Sequence, residues 1–94
     1  MKQSLHGWYV YIVECSDGTY YCGMSNDVDR RVKQHNSGRG AKYTRGRGPV
    51  KLLCTANFPS RSLALKAEYK VKRKAKSDKI SCLKQLEGCD QQVA

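Results

Sequence analysis

A chain of 94 residues has room for one domain, and a hydrophobic content of 39% is sufficient for a compact core. Eighteen lysines and arginines face eight aspartates and glutamates, and the resulting net charge of +10 favours a polyanionic partner, most simply nucleic acid. The sequence contains no apolar run long enough for a secretion signal or a membrane span, so we expect a cytoplasmic protein with no membrane partner.

The first part of the chain predicts a β-hairpin. Residues 8–15, WYVYIVEC, are aromatic and β-branched throughout, which is typical of a buried strand. Residues 16–19 contain the pair Asp17-Gly18, which accepts the positive φ of a tight turn. Residues 19–24 then form the second strand of the hairpin.

A helix and a glycine-rich loop follow the hairpin. Ser25 or Asn26 can cap the helix, which we expect to end at Ser37-Gly38. Residues 37–49, SGRGAKYTRGRGP, are rich in glycine and predict an exposed loop whose cations can follow a phosphate backbone. The nucleic-acid-binding residues that we predict in this loop are Arg39, Lys42, Arg45 and Arg47.

The remainder of the chain predicts one strand and two helices. Residues 50–58 form the third strand, Pro59-Ser60 opens a long helix, and Ser77-Asp78 caps a last helix that ends at Gly88. The order ββαβαα predicts an α+β fold, a small three-stranded sheet flanked by helices. We expect a single domain over residues 1–88 and a disordered tail over residues 89–94.

Two pairs of tyrosines lie on the predicted hairpin. Tyr9 and Tyr11 share one face of the first strand, whereas the adjacent Tyr20 and Tyr21 point to opposite faces. One member of each pair can therefore meet the other across the hairpin, although most tyrosines on strands are packing residues. Gly23 either lets another group approach the backbone closely or permits a β-bulge.

Arg31 and His35 lie at positions i and i+4 of the first predicted helix, and Asp27 lies one turn earlier on the same side. This pattern fits an exposed helix face that is stabilised by an Asp–Arg pair. It equally fits a phosphate site, because a guanidinium donates to phosphate oxygens in a forked geometry.

Glu68 is the one acidic residue between Arg30 and Lys76, a segment that holds fifteen basic residues. One interpretation is an ion pair with Lys72 at i+4, worth a few tenths of a kcal/mol. The other is a lone metal ligand, because Mg²⁺ often takes only one or two carboxylates and fills its other positions with water and substrate phosphate.

Taken together, these residues resemble the GIY-YIG nuclease superfamily. The matching positions are Tyr9-Val10-Tyr11, Tyr21-Cys22-Gly23, Arg31, His35 and Glu68. The resemblance covers residues 8–75 and is strongest to small single-domain bacterial members and to the nuclease domain of eukaryotic structure-specific endonucleases. Two positions depart from the family's pattern. Tyr9 stands in place of the glycine of the first motif, and Cys22 replaces the family's residue at the middle position of the second.

The resemblance implies a metal-dependent DNA endonuclease, acting in DNA repair or recombination. Its catalytic residues would be Tyr11, Tyr21, Arg31, His35 and Glu68. Tyr21 would activate or position the attacking water, and Tyr11 would support that water or the phosphate. Arg31 would stabilise negative charge on the scissile phosphate, and His35 would assist proton transfer or bind phosphate. Glu68 would hold one divalent cation, Mg²⁺ or Mn²⁺.

Many members of the superfamily borrow a separate DNA-binding or zinc domain, and we find none in this sequence. We therefore expect the basic loop to bind the substrate, or a protein partner to direct the chain to it. The alternative function is a non-catalytic nucleic-acid-binding accessory module with the same fold, and RNA is a less favoured ligand than DNA. Because binding alone gives no use for an isolated Glu68, the enzyme is the favoured interpretation, and we expect its catalytic residues to line one concave surface.

Overall fold

Three antiparallel strands and three helices make up the structure, a computed structural model that describes residues 7–38 and 48–93, with side chains up to residue 86. The elements in chain order are β1 (Trp8–Glu14), β2 (Tyr20–Ser25), α1 (Val28–Asn36), β3 (Lys51–Phe58), α2 (Arg61–Lys72) and α3 (Lys76–Val93). The predicted α+β class and the order ββαβαα are confirmed. Within the described ranges, no helix has the length and apolar character needed to cross a membrane.

The strands form one sheet in the order β2-β1-β3, with β1 at its centre. Both pairings are antiparallel, and they place Tyr11 opposite Gly23 of β2 on one side and Thr55 of β3 on the other. The pairing of β1 with β3 shifts register between Ile12 and Val13. Because β2 pairs only with β1 in this sheet, it is an edge strand, and the candidate site described below lies along it.

Helices cover both faces of the sheet, as the alternation along β1 requires. Val10 and Ile12 point to the face covered by α2 and α3, where they pack with residues such as Leu83. Tyr11 and Val13 point to the opposite face, where they pack with Val28 of α1. Each fully buried aliphatic side chain contributes about 1.5–3 kcal/mol. These two sets of packed side chains hold α1 and α2 on opposite faces of the sheet.

The N-cap of α1 is Asp27, not Ser25 or Asn26 as the sequence had suggested. The Asp27 carboxylate accepts a hydrogen bond from the Arg30 amide at 3.2 Å, and its negative charge suits the positive end of the helix dipole. Ser25 instead accepts a hydrogen bond at its Oγ from the Asp27 amide at 2.9 Å, in the turn before the helix begins. The predicted end at Ser37-Gly38 is confirmed, and Gly38 has the positive φ of 83° that favours glycine.

Both boundaries predicted for the last helix are wrong. The helix α3 begins at Lys76, before the predicted cap at Ser77-Asp78, and continues past Gly88 to Val93. A glycine inside a helix costs about 1 kcal/mol relative to alanine but does not forbid the helix. The domain boundary at residue 88 and the disorder of the tail after it stay predictions.

Candidate active site

Gly23 makes room for the Tyr11 side chain to lie across the edge strand. The two residues are directly opposed in the β1–β2 ladder, and a β-carbon at residue 23 would lie 2.5 Å from the Tyr11 hydroxyl and 2.7 Å from its Cζ. Side chains do not tolerate such short separations, so only glycine allows this placement of the tyrosine. Of the two interpretations of Gly23, close approach of another group is therefore the one that the structure supports.

The Tyr11 hydroxyl meets His35 of α1 inside the protein. Its oxygen lies 2.9 Å from Nε2 of His35, and the two side chains are each about 1% exposed. The Arg31 guanidinium acts on the Tyr11 hydroxyl electrostatically, and its Nη1 donates to Oε1 of Gln34 at 2.9 Å. The Tyr11 hydroxyl donates to Nε2 of His35 in the tautomer whose ring proton is on Nδ1.

Burial tunes the protonation states of this pair. Desolvation raises the pKa of Tyr11 to about 12, although the nearby Arg31 guanidinium partly opposes the rise. Desolvation, together with the positive charge of Arg31, lowers the pKa of His35 from its ordinary value. At neutral pH both groups are therefore neutral, and Nε2 of His35 can accept the Tyr11 proton when Nδ1 carries the ring proton.

Tyr21 completes an aromatic cluster with Tyr11 and His35. The Tyr21 ring centroid lies 6.4 Å from that of Tyr11 and 5.4 Å from that of His35, and the contact with His35 is edge-to-face. The prediction that one tyrosine of each pair meets across the hairpin is thereby confirmed. Tyr21 is half-buried, so it lies between the buried Tyr11–His35 pair and the solvent.

Glu68 approaches this cluster from α2, through Lys72. Its Oε2 lies 3.5 Å from Nζ of Lys72, and the same Nζ lies 5.7 Å from the centroid of the Tyr21 ring. Desolvation raises the pKa of the Cys22 thiol to about 12, and the negative charge of Glu68 adds to the rise. Glu68 therefore lies on the same edge of the sheet as Tyr21.

The donor set around Glu68 fits a lightly coordinated hard cation. The Glu68 side chain is 15% exposed and retains access to solvent, and that of Lys72 is 48% exposed. Within the described residues, no group of three or more His, Cys, Asp or Glu side chains could hold a metal ion. A single carboxylate still suits Mg²⁺ or Mn²⁺, because water and substrate phosphate can supply the remaining oxygen ligands.

The structure brings four predicted site residues into one cluster on the α1 face of the sheet, whereas the fifth, Glu68, lies on the helix that packs on the other face and reaches the cluster through Lys72. Tyr11, Tyr21, Arg31 and His35 are linked by the contacts above, and Lys72 connects Glu68 to Tyr21. The expectation that all five line one concave surface is wrong for Tyr11 and His35, which are buried. The predicted nucleic-acid-binding residues lie outside the described residues; they are Arg39, Lys42, Arg45 and Arg47.

One supporting residue, Gln34, and one contact of Lys72 were not predicted from the sequence. Gln34 holds the Arg31 guanidinium, and its spacing of three from Arg31 on the helix is a usable signal. Lys72 was predicted as the ion-pair partner of Glu68, which is confirmed, but its position over the Tyr21 ring depends on how α2 packs against β2. Nothing in the local sequence indicates that second contact.

Comparison with known proteins finds one family model and close relatives. Residues 7–81 match the model of the GIY-YIG catalytic domain. A UPF0213 protein of Nitratidesulfovibrio vulgaris is 49% identical over 81 residues, covering 86% of this chain and 74% of that protein. Two solution NMR structures are similar. The UPF0213 protein BH0048 from Bacillus halodurans has a TM-score of 0.52 and 51% identity over 84% of each chain. The protein EF2693 from E. faecalis has a TM-score of 0.60 and 39% identity over 90% of each chain.

Proposed function

Because this chain belongs to the GIY-YIG catalytic domain family, we propose that it is a metal-dependent endonuclease that hydrolyses phosphodiester bonds in DNA. The observation that carries the proposal is the convergence of the Tyr11–His35 hydrogen bond, the Arg31 guanidinium and the Tyr21 ring at the strand edge that Glu68 also approaches. A setting in DNA repair or recombination is part of this proposal, and so is a protein partner that directs the chain to its substrate.

Arg31 would stabilise the negative charge on the scissile phosphate. A guanidinium presents its donors in a planar fork, so it donates to two phosphate oxygens at once. Gln34 accepts from one of its nitrogens at 2.9 Å and so limits the rotation of the side chain before substrate arrives. Donors that are already oriented stabilise developing charge without reorganising during the reaction.

The proton of the attacking water would leave through the tyrosines and His35. The half-buried Tyr21 hydroxyl would orient the water. Tyr11 is neutral because its pKa is raised to about 12, so it serves as a relay and not as a permanent base. Its oxygen would take a proton from Tyr21, which takes one from the water, while its own proton passes to Nε2 of His35, 2.9 Å away.

Glu68 would hold a divalent cation, Mg²⁺ or Mn²⁺. When bound, such a cation polarises the phosphate and stabilises the leaving oxygen. The contribution of this chain is the charged oxygen of Glu68, at an edge of the sheet that solvent can reach. Lys72 would have to move away from the carboxylate, and its side chain, 48% exposed, has solvent into which it can turn.

A non-catalytic nucleic-acid-binding module is the second candidate. The Glu68–Lys72 ion pair favours it, because that contact gives the carboxylate a structural partner without any metal. The two candidates differ in one assay, which incubates the protein with linear, flapped and branched DNA in the presence of Mg²⁺ or Mn²⁺. The enzyme cleaves at least one of these substrates, whereas binding of all of them without cleavage by any preparation would select the accessory module.

A further inference from the structure

The outer side of α2 carries an exposed apolar surface beside Glu68. Among the described residues, the large hydrophobic side chains that are exposed are Leu52 at 39%, Leu65 at 46% and Tyr69 at 62%. Leu65 and Tyr69 are four residues apart on α2 and therefore lie next to each other on its surface. Leu52 lies on β3, at the edge of the sheet opposite to β2. Most of this exposed apolar area is thus concentrated near the candidate site.

A shallow hollow of about 480 Å³ joins this surface to Glu68. The residues that line it are Leu65, Lys66, Glu68, Tyr69 and Lys72. The carboxylate proposed to hold the cation and the Tyr69 ring thus border the same depression. A nucleotide whose phosphate lies at Glu68 therefore has its sugar and base within reach of Leu65 and Tyr69.

Positive charge surrounds the apolar part of the hollow. Lys66 and Lys72 lie on its rim, and the Arg73 guanidinium lies 5.4 Å from the centroid of the Tyr69 ring. An exposed aromatic ring bordered by cations suits a nucleotide, since the base stacks on the ring while the cations attract the phosphates. The charge of this surface complements a nucleic acid strand, and the net charge of +10 on the whole chain acts in the same direction.

We propose that Tyr69 and Leu65 form a stacking subsite for an unpaired nucleobase of the substrate, next to the phosphate at Glu68. The inference rests on the proposed function and adds a requirement on the substrate, which must carry an unpaired nucleotide close to the scissile bond. A base inside a duplex has both faces covered by its neighbours and offers none to a tyrosine. Stacking of one base on an aromatic side chain changes affinity by about 5- to 150-fold.

The test measures binding of the full chain to two flapped DNA molecules that have identical duplexes. One carries an unpaired arm of normal nucleotides, and the other an arm of abasic nucleotides with the same phosphates. The wild-type protein should prefer the normal arm by about 5- to 150-fold. Tyr69→Ala should bind both DNA molecules with the affinity that the wild-type protein has for the abasic one. Tyr69→Phe keeps the ring and should retain the preference for the normal arm. Leu65→Ala should reduce the preference for the normal arm. Its matched control is Leu52→Ala, which removes an exposed apolar side chain at the opposite edge of the sheet and should leave the preference unchanged.

The outcomes separate this inference from the proposed function. If Tyr69→Ala keeps the wild-type preference, or if the wild-type protein does not distinguish the arms, the stacking subsite is overturned while the nuclease proposal stands. If the wild-type protein binds neither DNA, both proposals fail. If sedimentation shows that Tyr69→Ala dissociates a dimer while the preference for the normal arm persists, the surface belongs to a second copy of the chain, and the subsite is again overturned.

Discussion

The Tyr11 hydroxyl lies directly over Gly23, so close that a β-carbon at residue 23 would be 2.5 Å from the oxygen. This contact fixes where the hydroxyl points, because the ring crosses the edge strand at the one residue without a side chain. From there the hydroxyl reaches His35 at 2.9 Å, although 24 residues separate the two in sequence. The glycine of the second tyrosine motif is thus a steric requirement of the tyrosine of the first.

Gly23→Ala should therefore displace the Tyr11 side chain and disrupt the site. The new methyl group clashes with Tyr11, and overpacking of this kind typically costs about 1–3 kcal/mol of unfolding free energy. We expect a loss of that size in urea denaturation, together with loss of DNA cleavage because Tyr11 moves away from His35. In a Tyr11→Phe background the same substitution should cost less, since the nearest clashing atom is gone. Full wild-type stability of Gly23→Ala would show that the strand can shift to accept the methyl group.

The raised pKa of Tyr11 makes the stability of the protein sensitive to alkaline pH. Tyr11 titrates near its ordinary pKa of 10.0 in the unfolded chain and at about 12 in the folded one. Its contribution is therefore fully present below pH 10 and is lost as the pH rises towards 12. A shift of this size corresponds to roughly 2–3 kcal/mol. We expect the unfolding free energy of the wild-type protein to fall more steeply over this range than that of Tyr11→Phe.

Denaturation curves of the two proteins at several pH values check this expectation. The buried Cys22 thiol also has a pKa raised to about 12, but it is present in both proteins, so the difference between them isolates Tyr11. Tyr20→Phe is the matched control, because Tyr20 packs against the opposite core, on the side of α2 and α3. Parallel curves for wild type and Tyr11→Phe would contradict the assignment of a buried, neutral hydroxyl.

Much of the fold could be predicted because the decisive signals are local. The aromatic and β-branched run of β1, the turn at Asp17-Gly18 and the cap at Ser60 each act over a few residues. The errors occur where several local signals compete. Ser25, Asn26 and Asp27 can all cap a helix, and the choice of Asp27 depends on where the chain leaves β2.

The site was less predictable because it depends on packing between elements. The spacing of Arg31 and His35 indicates a shared helix face, but it cannot show that His35 is buried against Tyr11. The family resemblance supplied the set of residues without their distances. The contact of Lys72 with both Glu68 and Tyr21 arises from the docking of α2 at the edge of the sheet, which no local pattern encodes.

The glycine-rich loop should carry much of the electrostatic contribution to DNA binding. Each phosphate contact that is lost reduces the slope of log affinity against log salt by about 0.9 for duplex DNA. Arg45→Ala with Arg47→Ala should therefore weaken binding and flatten the slope by up to about 2. Lys51→Ala with Lys84→Ala removes the same charge from exposed positions on β3 and α3 and serves as the control. Equal slopes for the two double variants would show that the loop makes no special contact.

Glu68→Gln tests the central claim, that the carboxylate at this strand edge serves hydrolysis, most directly. The substitution preserves the size of the side chain and removes its charge, and no other acidic residue lies between Arg30 and Lys76 to replace it. Asp78→Asn is the matched control, since it removes a carboxylate from the exposed start of α3.

The measurement is the cleavage rate beside the binding affinity, in Mn²⁺, for the wild-type protein and both variants. We predict that Glu68→Gln abolishes cleavage while the fold is preserved and DNA binding is equal or slightly tighter, because a repulsive charge is gone. Asp78→Asn should cleave like the wild type. Cleavage by Glu68→Gln at the wild-type rate, with only a few tenths of a kcal/mol lost in stability, would instead reduce Glu68 to an ion-pair partner of Lys72 and contradict the proposed active site.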